Sequence, residues 1–232
     1  MIQSRLYADL IAACRDDGCP ICRLSVQASD RYVDAIISDG VNDMEVQLQF
    51  VAARGYCNRH AWKMLERQGR PLGIAILQRA VLDNILMDMK DVADTIDNAQ
   101  RRRWSNRDRQ KFLVAMLTPH RECAVCHHEL STGQQALSEL LSQLGDAKLI
   151  TVFRQSSGLC LPHFRQALTL TRDEAAALRL IELQREHVVR LRDQLAEFIR
   201  KNDDRFSGEG SSAAGDSWRH AIGIVSGQKD AQ

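Results

Sequence analysis

The sequence lacks most of the features by which functions announce themselves. Lysine and arginine number 31 against 30 aspartates and glutamates, a net charge of +1, so no global field draws the chain to nucleic acid or an anionic membrane. No apolar run approaches the roughly 18 to 20 residues of a membrane span. The opening residues, Met1 to Leu6 followed by Asp9 and Arg15-Asp16-Asp17, lack the apolar stretch of a signal peptide. There is no phosphate-cradling glycine loop, no Ser-His-Asp order and no paired-carboxylate pattern, so no catalytic nucleophile or acid-base pair can be named. The expectation is a cytoplasmic protein with neither membrane nor nucleic acid as partner. In a reducing compartment, clustered cysteines bind metal or act in catalysis rather than pairing as disulfides.

What the sequence does have is cysteine in a pattern. Cys19-Pro20-Ile21-Cys22 is followed, with 34 residues between, by Cys57-Asn58-Arg59-His60. Cys123-Ala124-Val125-Cys126 is followed, with 33 residues between, by Cys160-Leu161-Pro162-His163. Six of the seven cysteines thus fall into two matching Cys3His sets. A borderline cation takes thiolate and imidazole ligands in a tetrahedral shell, and ligands two residues apart on a tight turn or helix start can reach one ion. The metal ligands read from the sequence are therefore Cys19, Cys22, Cys57, His60, Cys123, Cys126, Cys160 and His163. Pairing within each half is the simplest reading. Exchange of ligands between halves is the alternative, and His120, His127 and His128 are possible substitutes for His163.

Three thiolates and a neutral imidazole leave a zinc site at net minus one, which Arg23, Arg59, Arg121 and Arg165 are placed to compensate. Two Zn2+ per chain is the first expectation. Iron-sulfur clusters, which would make an electron carrier or redox sensor, are the rival. A dithiol redox enzyme is a third reading, since Cys-Pro-x-Cys at a helix start resembles a reactive pair. Against it, no strand precedes the motif, the second copy lacks the proline, and the recurring Cys-x-x-His goes unexplained.

Apolar spacing and capping signals give an all-α fold of two tandem pseudo-repeats, each closed by a Cys3His site. Ser4 caps a first helix to Cys14, Pro20 opens a second to Gly40, and Asn42 or Asp43 caps a third that ends at Gly55. Cys57 opens a fourth, and Pro71 starts a long one. Shifted by 103 residues, Phe50 falls on Phe153, Gly55 on Gly158, Cys57 on Cys160, His60 on His163 and Leu65 on Leu168, as a divergent duplication would place them. The segments are residues 1–100, a basic helical connector 101–118, a second repeat 119–202 and a tail 203–232. Arg101 to Lys111 reads as a solvated connector. Gly208, Gly210 and Gly215 mark a flexible linker. Beyond it Trp218, Ile222, Ile224 and Val225 form an apolar island that suits docking into a protein partner, the alternative being a frayed tail or a last strand of the domain's own packing. Cys14 reads as a small core residue and His187 as a surface or satisfied histidine, while Trp62 and Phe164 are expected to pack over the metal sites.

The motifs Cys19-Pro20-Ile21-Cys22, Gly55-Tyr56-Cys57-Asn58-Arg59-His60 and Leu72-Gly73-Ile74-Ala75-Ile76-Leu77 resemble those of a bacterial and archaeal domain family of unknown function. The second Cys-x-x-Cys, Gly158-Leu159-Cys160-Leu161-Pro162-His163 and the tryptophan-bearing tail are similar to it too. The resemblance covers most of the chain and implies no activity. The reading as a whole is a metal-binding helical adaptor, assembly or regulatory protein without catalysis of its own.

Overall fold

A computed structural model of the chain describes residues 4–66, 71–99, 105–202, 215–229 and 231. Among them the secondary structure is helical throughout: α1 (Arg5–Ala13), α2 (Pro20–Ser38), a short 3-10 turn (Gly40–Asn42), α3 (Met44–Ala52), α4 (Asn58–Leu65), α5 (Pro71–Ala99), α6 (Asn106–Leu117), α7 (Ala124–Ser142), α8 (Ala147–Gln155), α9 (Leu161–Leu170), α10 (Glu174–Lys201) and α11 (Ser217–Ser226). The caps explain the starts. Ser4 Oγ accepts from the Tyr7 amide at 3.0 Å, Asp43 Oδ1 from the amides of Glu45 and Val46 at 2.8 and 3.3 Å, and Asp146 Oδ1 from that of Leu149 at 2.7 Å. Each satisfies a backbone donor that a helix start leaves without an intrahelical partner. Gly55 and Gly158, at φ +86° and +75°, take left-handed turns after α3 and α8.

The helices gather into two compact units that do not follow chain order. The outer unit joins Met1–Ala28 to Glu129–Gln232, and the inner unit is Ser29–His128. This division differs from segments 1–100, 101–118, 119–202 and 203–232, because the units take α2 and α7 in parts. The linker at 203–214 lies outside the described residues, as do Arg101 to Trp104 of the basic connector. The rest of that connector is ordered as the first turns of α6, with Ser105 as its cap.

The outer core is built from α1, the start of α2, the latter part of α7, and α8 to α10. Leu10, Ile21, Leu137, Leu140, Phe153 and Leu180 are fully buried in it, and Cys14 is buried beside them, as a small core residue should be. A Cβ on Gly133 would come within 2.9 Å of Ser25 Oγ, so glycine lets α7 approach the first turns of α2. The Tyr7 hydroxyl donates to the Asp146 carboxylate at 2.7 Å, tying α1 to the cap of α8.

The inner core packs Val33, Ile37, Phe50, Met64, Leu77, Val81 and Val125 together. Arg54 closes its far side, donating to Asn84 Oδ1 at 2.6 Å and the Met116 carbonyl at 3.0 Å and pairing with Asp88. One guanidinium thus joins the end of α3 to α5 and α6. Lys63 pairs with Asp30 at 2.9 Å, holding α4 to the inner part of α2.

Candidate metal centres

Each ligand pair sits at the start of a helix. Cys19 directly precedes α2 and Cys123 directly precedes α7, while Cys57 and Cys160 are the N-caps of α4 and α9. The second ligand of each pair then lies in the first helical turn, three residues on. There the free N–H groups and the positive end of the helix dipole favour thiolate.

The structure assembles these pairs in a nested order. Cys19 and Cys22 meet Cys160 and His163, and Cys57 and His60 meet Cys123 and Cys126; within each set the ligand atoms lie within 4.8 Å of one another. Pairing inside each half is therefore corrected to the exchanged arrangement. The reason is helix length. The residues of α2 beyond Cys22, on to Ser38, carry the chain about 24 Å away, while the nine residues of α3 return only about 13 Å. Helix α3 alone does not bring Cys57 back to Cys22. Helices α7 and α8, of 19 and nine residues, impose the same limit on Cys126 and Cys160.

In the first centre, Cys22 and Cys160 Sγ stand 3.6 Å apart, and His163 Nδ1 lies 3.6, 3.3 and 3.2 Å from the sulfurs of Cys19, Cys22 and Cys160. In the second, Cys57 and Cys126 Sγ are 3.6 Å apart, with His60 Nδ1 3.4, 3.6 and 3.4 Å from the sulfurs of Cys57, Cys123 and Cys126. A tetrahedral zinc ion with usual bond lengths would set S···S edges of about 3.8 Å and S···N edges of about 3.6 Å. The donor sets fit one such ion each, at the right type, number and spacing.

Protons are unevenly shared among the sulfurs. Hydrogen bonds from Cys19 and Cys22 pull the Cys160 thiol down to about 3, while burial pushes Cys19 well above the ordinary thiol value. Burial works against ionisation of Cys123, but hydrogen bonds from His60 and from the backbone amides of Cys57, Cys126 and Val125 bring it down to about 6. Burial, with the neighbouring Cys57, sends Cys126 up to about 12. Cys160 and Cys123 are thus the sulfurs drawn toward thiolate, and a cation displaces the protons that Cys19 and Cys126 hold. Metal affinity falls as pH falls.

Around the first centre, α10 fixes the loop that delivers Cys160. The Gln184 amide donates to the Leu159 carbonyl at 2.8 Å and accepts from its amide at 3.0 Å. Arg190 donates to the carbonyls of Ser156 and Arg154 at 2.6 and 3.0 Å and to His187 Nδ1 at 2.8 Å. Of the two readings of His187, surface or satisfied, the second holds: it is buried, accepts from Arg190, stands edge-on to Phe153 with centroids 5.1 Å apart, and is held down to about 4, chiefly by burial. No local sequence signal marked Gln184, His187 or Arg190, since their role depends on where α10 returns.

The tail completes this centre from the outside. Residues 217–226 form a helix rather than a strand, and α11 packs against α9 and α10. Ser217 is buried and Ile224 partly so, while Trp218, Ile222 and Val225 face outward. A Cβ on Gly227 would stand 3.9 Å from both Cys22 Sγ and Cys160 Sγ, and Gln228 Nε2 donates to the Asp17 carbonyl at 3.2 Å. The first set is buried throughout. In the second, Cys57, Cys123 and Cys126 are each partly exposed. A chelator should therefore strip the second centre first, and deleting residues 215–232 should speed loss from the first by about tenfold, a barrier change of about 1.4 kcal/mol. Stopped-flow release monitored with a chromophoric chelator measures both phases. Equal rates in full-length and truncated protein would show that the tail does not shield the site.

The other candidates fall elsewhere. His127 and His128 line a cleft of about 490 Å3 with Tyr32, Gln49, Arg121 and Glu122, and His128 stands against the Tyr32 ring with centroids 5.1 Å apart; neither joins a ligand set, and nor does His120. Arg23 turns to the Asp17 carbonyl at 2.6 Å and pairs with Asp16 at 3.5 Å. Trp62 does not cover a site: it is 63% exposed, because two residues advance a helix by about 200° and point it away from buried His60. Tyr56 serves the inner unit instead, edge-on to Phe50 with centroids 4.8 Å apart. Phe164 is packed partly buried against the outer core.

Among the described residues no helix is long and apolar enough to cross a membrane. No curated protein and no solved structure matches the chain. A family model does match, over residues 9–232. With its paired Cys3His sets and helical frame, the chain belongs to DUF6062, a family of unknown function.

Proposed function

We propose that this protein is a cytoplasmic helical scaffold in which two structural zinc ions hold distant helix starts together, acting as an adaptor, assembly factor or regulator rather than as an enzyme. The observation that carries this reading is the completeness of the ligand sets: each brings four protein donors within 4.8 Å of one another. Structural zinc sites are closed by four protein ligands, whereas catalytic ones keep a position for water or substrate. Spacings of 3.2 to 3.6 Å between donors also favour a single ion. Ligands on different irons of a cluster would stand further apart, by the metal–metal separation.

A tandem duplication accounts for the ligand sets. Phe50 and Phe153 are both buried in their cores, and Gly55 and Gly158 share the left-handed turn. Once copies exist, each Cys-x-x-Cys can close on the other copy's Cys-x-x-His, which fastens the two ends of the chain into one unit. The outward face of α11, with Trp218, Ile222 and Val225, is the surface this reading assigns to a protein partner, with Ile224 anchoring the helix from its inner side. Protein purified without oxygen should carry two zinc per chain by elemental analysis and show no visible absorption band. Iron with acid-labile sulfide would replace the scaffold by an electron-transfer or redox-sensing protein. Little metal of any kind would return the cysteines to thiol redox chemistry.

A further inference from the structure

Helix α5 is apolar on two faces, and only one of them serves its own unit. Leu77 and Val81 are buried in the inner core, with Ile74 and Ile85 packed against it. A second stripe runs along the other side through Leu82, Leu86, Met89, Ala93 and Ile96. Leu72 and Ala75 extend it one heptad earlier, with Arg79 between. The spacing alternates three and four without a break from residue 72 to residue 96. Every position in it is solvent-exposed, Leu72 at 73%, Leu82 at 58%, Leu86 at 63% and Met89 at 51%. A sustained 3.5-residue repeat is the seam of a coiled coil and matches only another helix carrying the same repeat. A lone surface helix needs no such stripe facing water.

We propose that this face of α5 is a homodimer interface, formed by α5 of a second copy lying antiparallel across it. The direction follows from the charges. In a parallel, in-register pair Arg79 would face Arg79 inside the seam, a like-charge contact in a desolvating position. In the antiparallel pair centred between Leu86 and Met89, Leu86 meets Met89 of the second copy. Arg79 then falls at the end, laying its aliphatic stem over Ile96 and keeping its guanidinium in water. The same register sets Asp83 beside Lys90 of the second copy, twice by symmetry, flanking the seam with complementary charge. Both are exposed, and among the described residues Asp83 makes an exposed i,i+4 pair with Arg79 at 3.5 Å.

Sedimentation equilibrium on the full-length, metal-loaded protein tests this. The wild type should approach twice the chain mass as concentration rises. L82E/L86E should remain at the chain mass with unchanged helicity and metal content, because both leucines lie outside the protein's own core. D83K should dissociate about tenfold more readily, through two lost pairs and two new repulsions, and D83K/K90D should restore the wild-type constant. A wild type that stays monomeric at all concentrations overturns the proposal and leaves the stripe to a different partner. A dimer that survives L82E/L86E overturns it as well. A D83K/K90D protein as weak as D83K overturns the antiparallel register.

Discussion

Replacing Cys160 with serine should remove one equivalent of metal and most of the stability of the outer unit while leaving the inner centre loaded. Cys160 Sγ is in contact with Cys22 Sγ and with His163 Nδ1, at 3.6 and 3.2 Å, and it is the sulfur poised to be thiolate. Without it, two thiols and an imidazole remain, and a site formed by folding gives up its binding free energy as lost stability. The expected cost is on the order of 4 kcal/mol or more, the range that loss of a structural metal reaches. The outer core does not vanish with the ion, since Leu10, Leu137, Phe153 and Leu180 still pack around it. The unit should melt early rather than fail to collapse. Thermal unfolding followed by circular dichroism, with zinc counted in the same samples, reads both effects. A variant that keeps two metal ions would remove Cys160 from the centre.

The second large effect is expected at Gly158. Its φ of +75° disfavours any side chain, and a Cβ there would meet Cβ, Cγ and Cδ2 of His187 at 2.6 to 3.0 Å. His187 cannot yield easily, held as it is between the Arg190 guanidinium and the Phe153 ring. Gly158→Ala should cost about 1 kcal/mol for the backbone and about 1 to 3 more for overpacking. Gly55→Ala is the internal control. Its φ is +86°, yet the nearest atom, on the Phe50 ring, is 3.6 Å away, so only the backbone cost of about 1 kcal/mol applies. Chemical denaturation of the two variants should therefore give clearly different midpoints. Equal losses would mean that His187 does not press on the loop that carries Cys160.

How far these features can be read from sequence depends on the range over which each is decided. Helix starts are local: Ser4, Asp43 and Asp146 lie a few residues from the amides they cap, and the proline after Cys19 opens α2 where its missing N–H costs nothing. Ligand identity is local too, since two cysteines or a cysteine and a histidine at a helix start form a recognisable pair. Which pairs meet is decided over some 140 residues, and equal spacing within the halves suggests the wrong partners. The lengths of α2 and α3 carried the missing signal, because one rises about twice as far as the other can return. Trp62 likewise follows its ligand closely in sequence and stands on the opposite face of α4 in space. In the tail, Gly223 interrupts the apolar pattern, and nothing within residues 217–226 shows that α9 and α10 offer a surface to receive a helix.

Nested pairing is the centre of this account, and metal stoichiometry in double variants tests it without a further structure. Cys22→Ser/Cys160→Ser removes two ligands from one centre and should lose one equivalent of metal. Cys22→Ser/Cys57→Ser removes one ligand from each and should lose two. If the first variant loses two equivalents and the second only one, the ligands pair within the halves of the chain, and the nested arrangement is wrong.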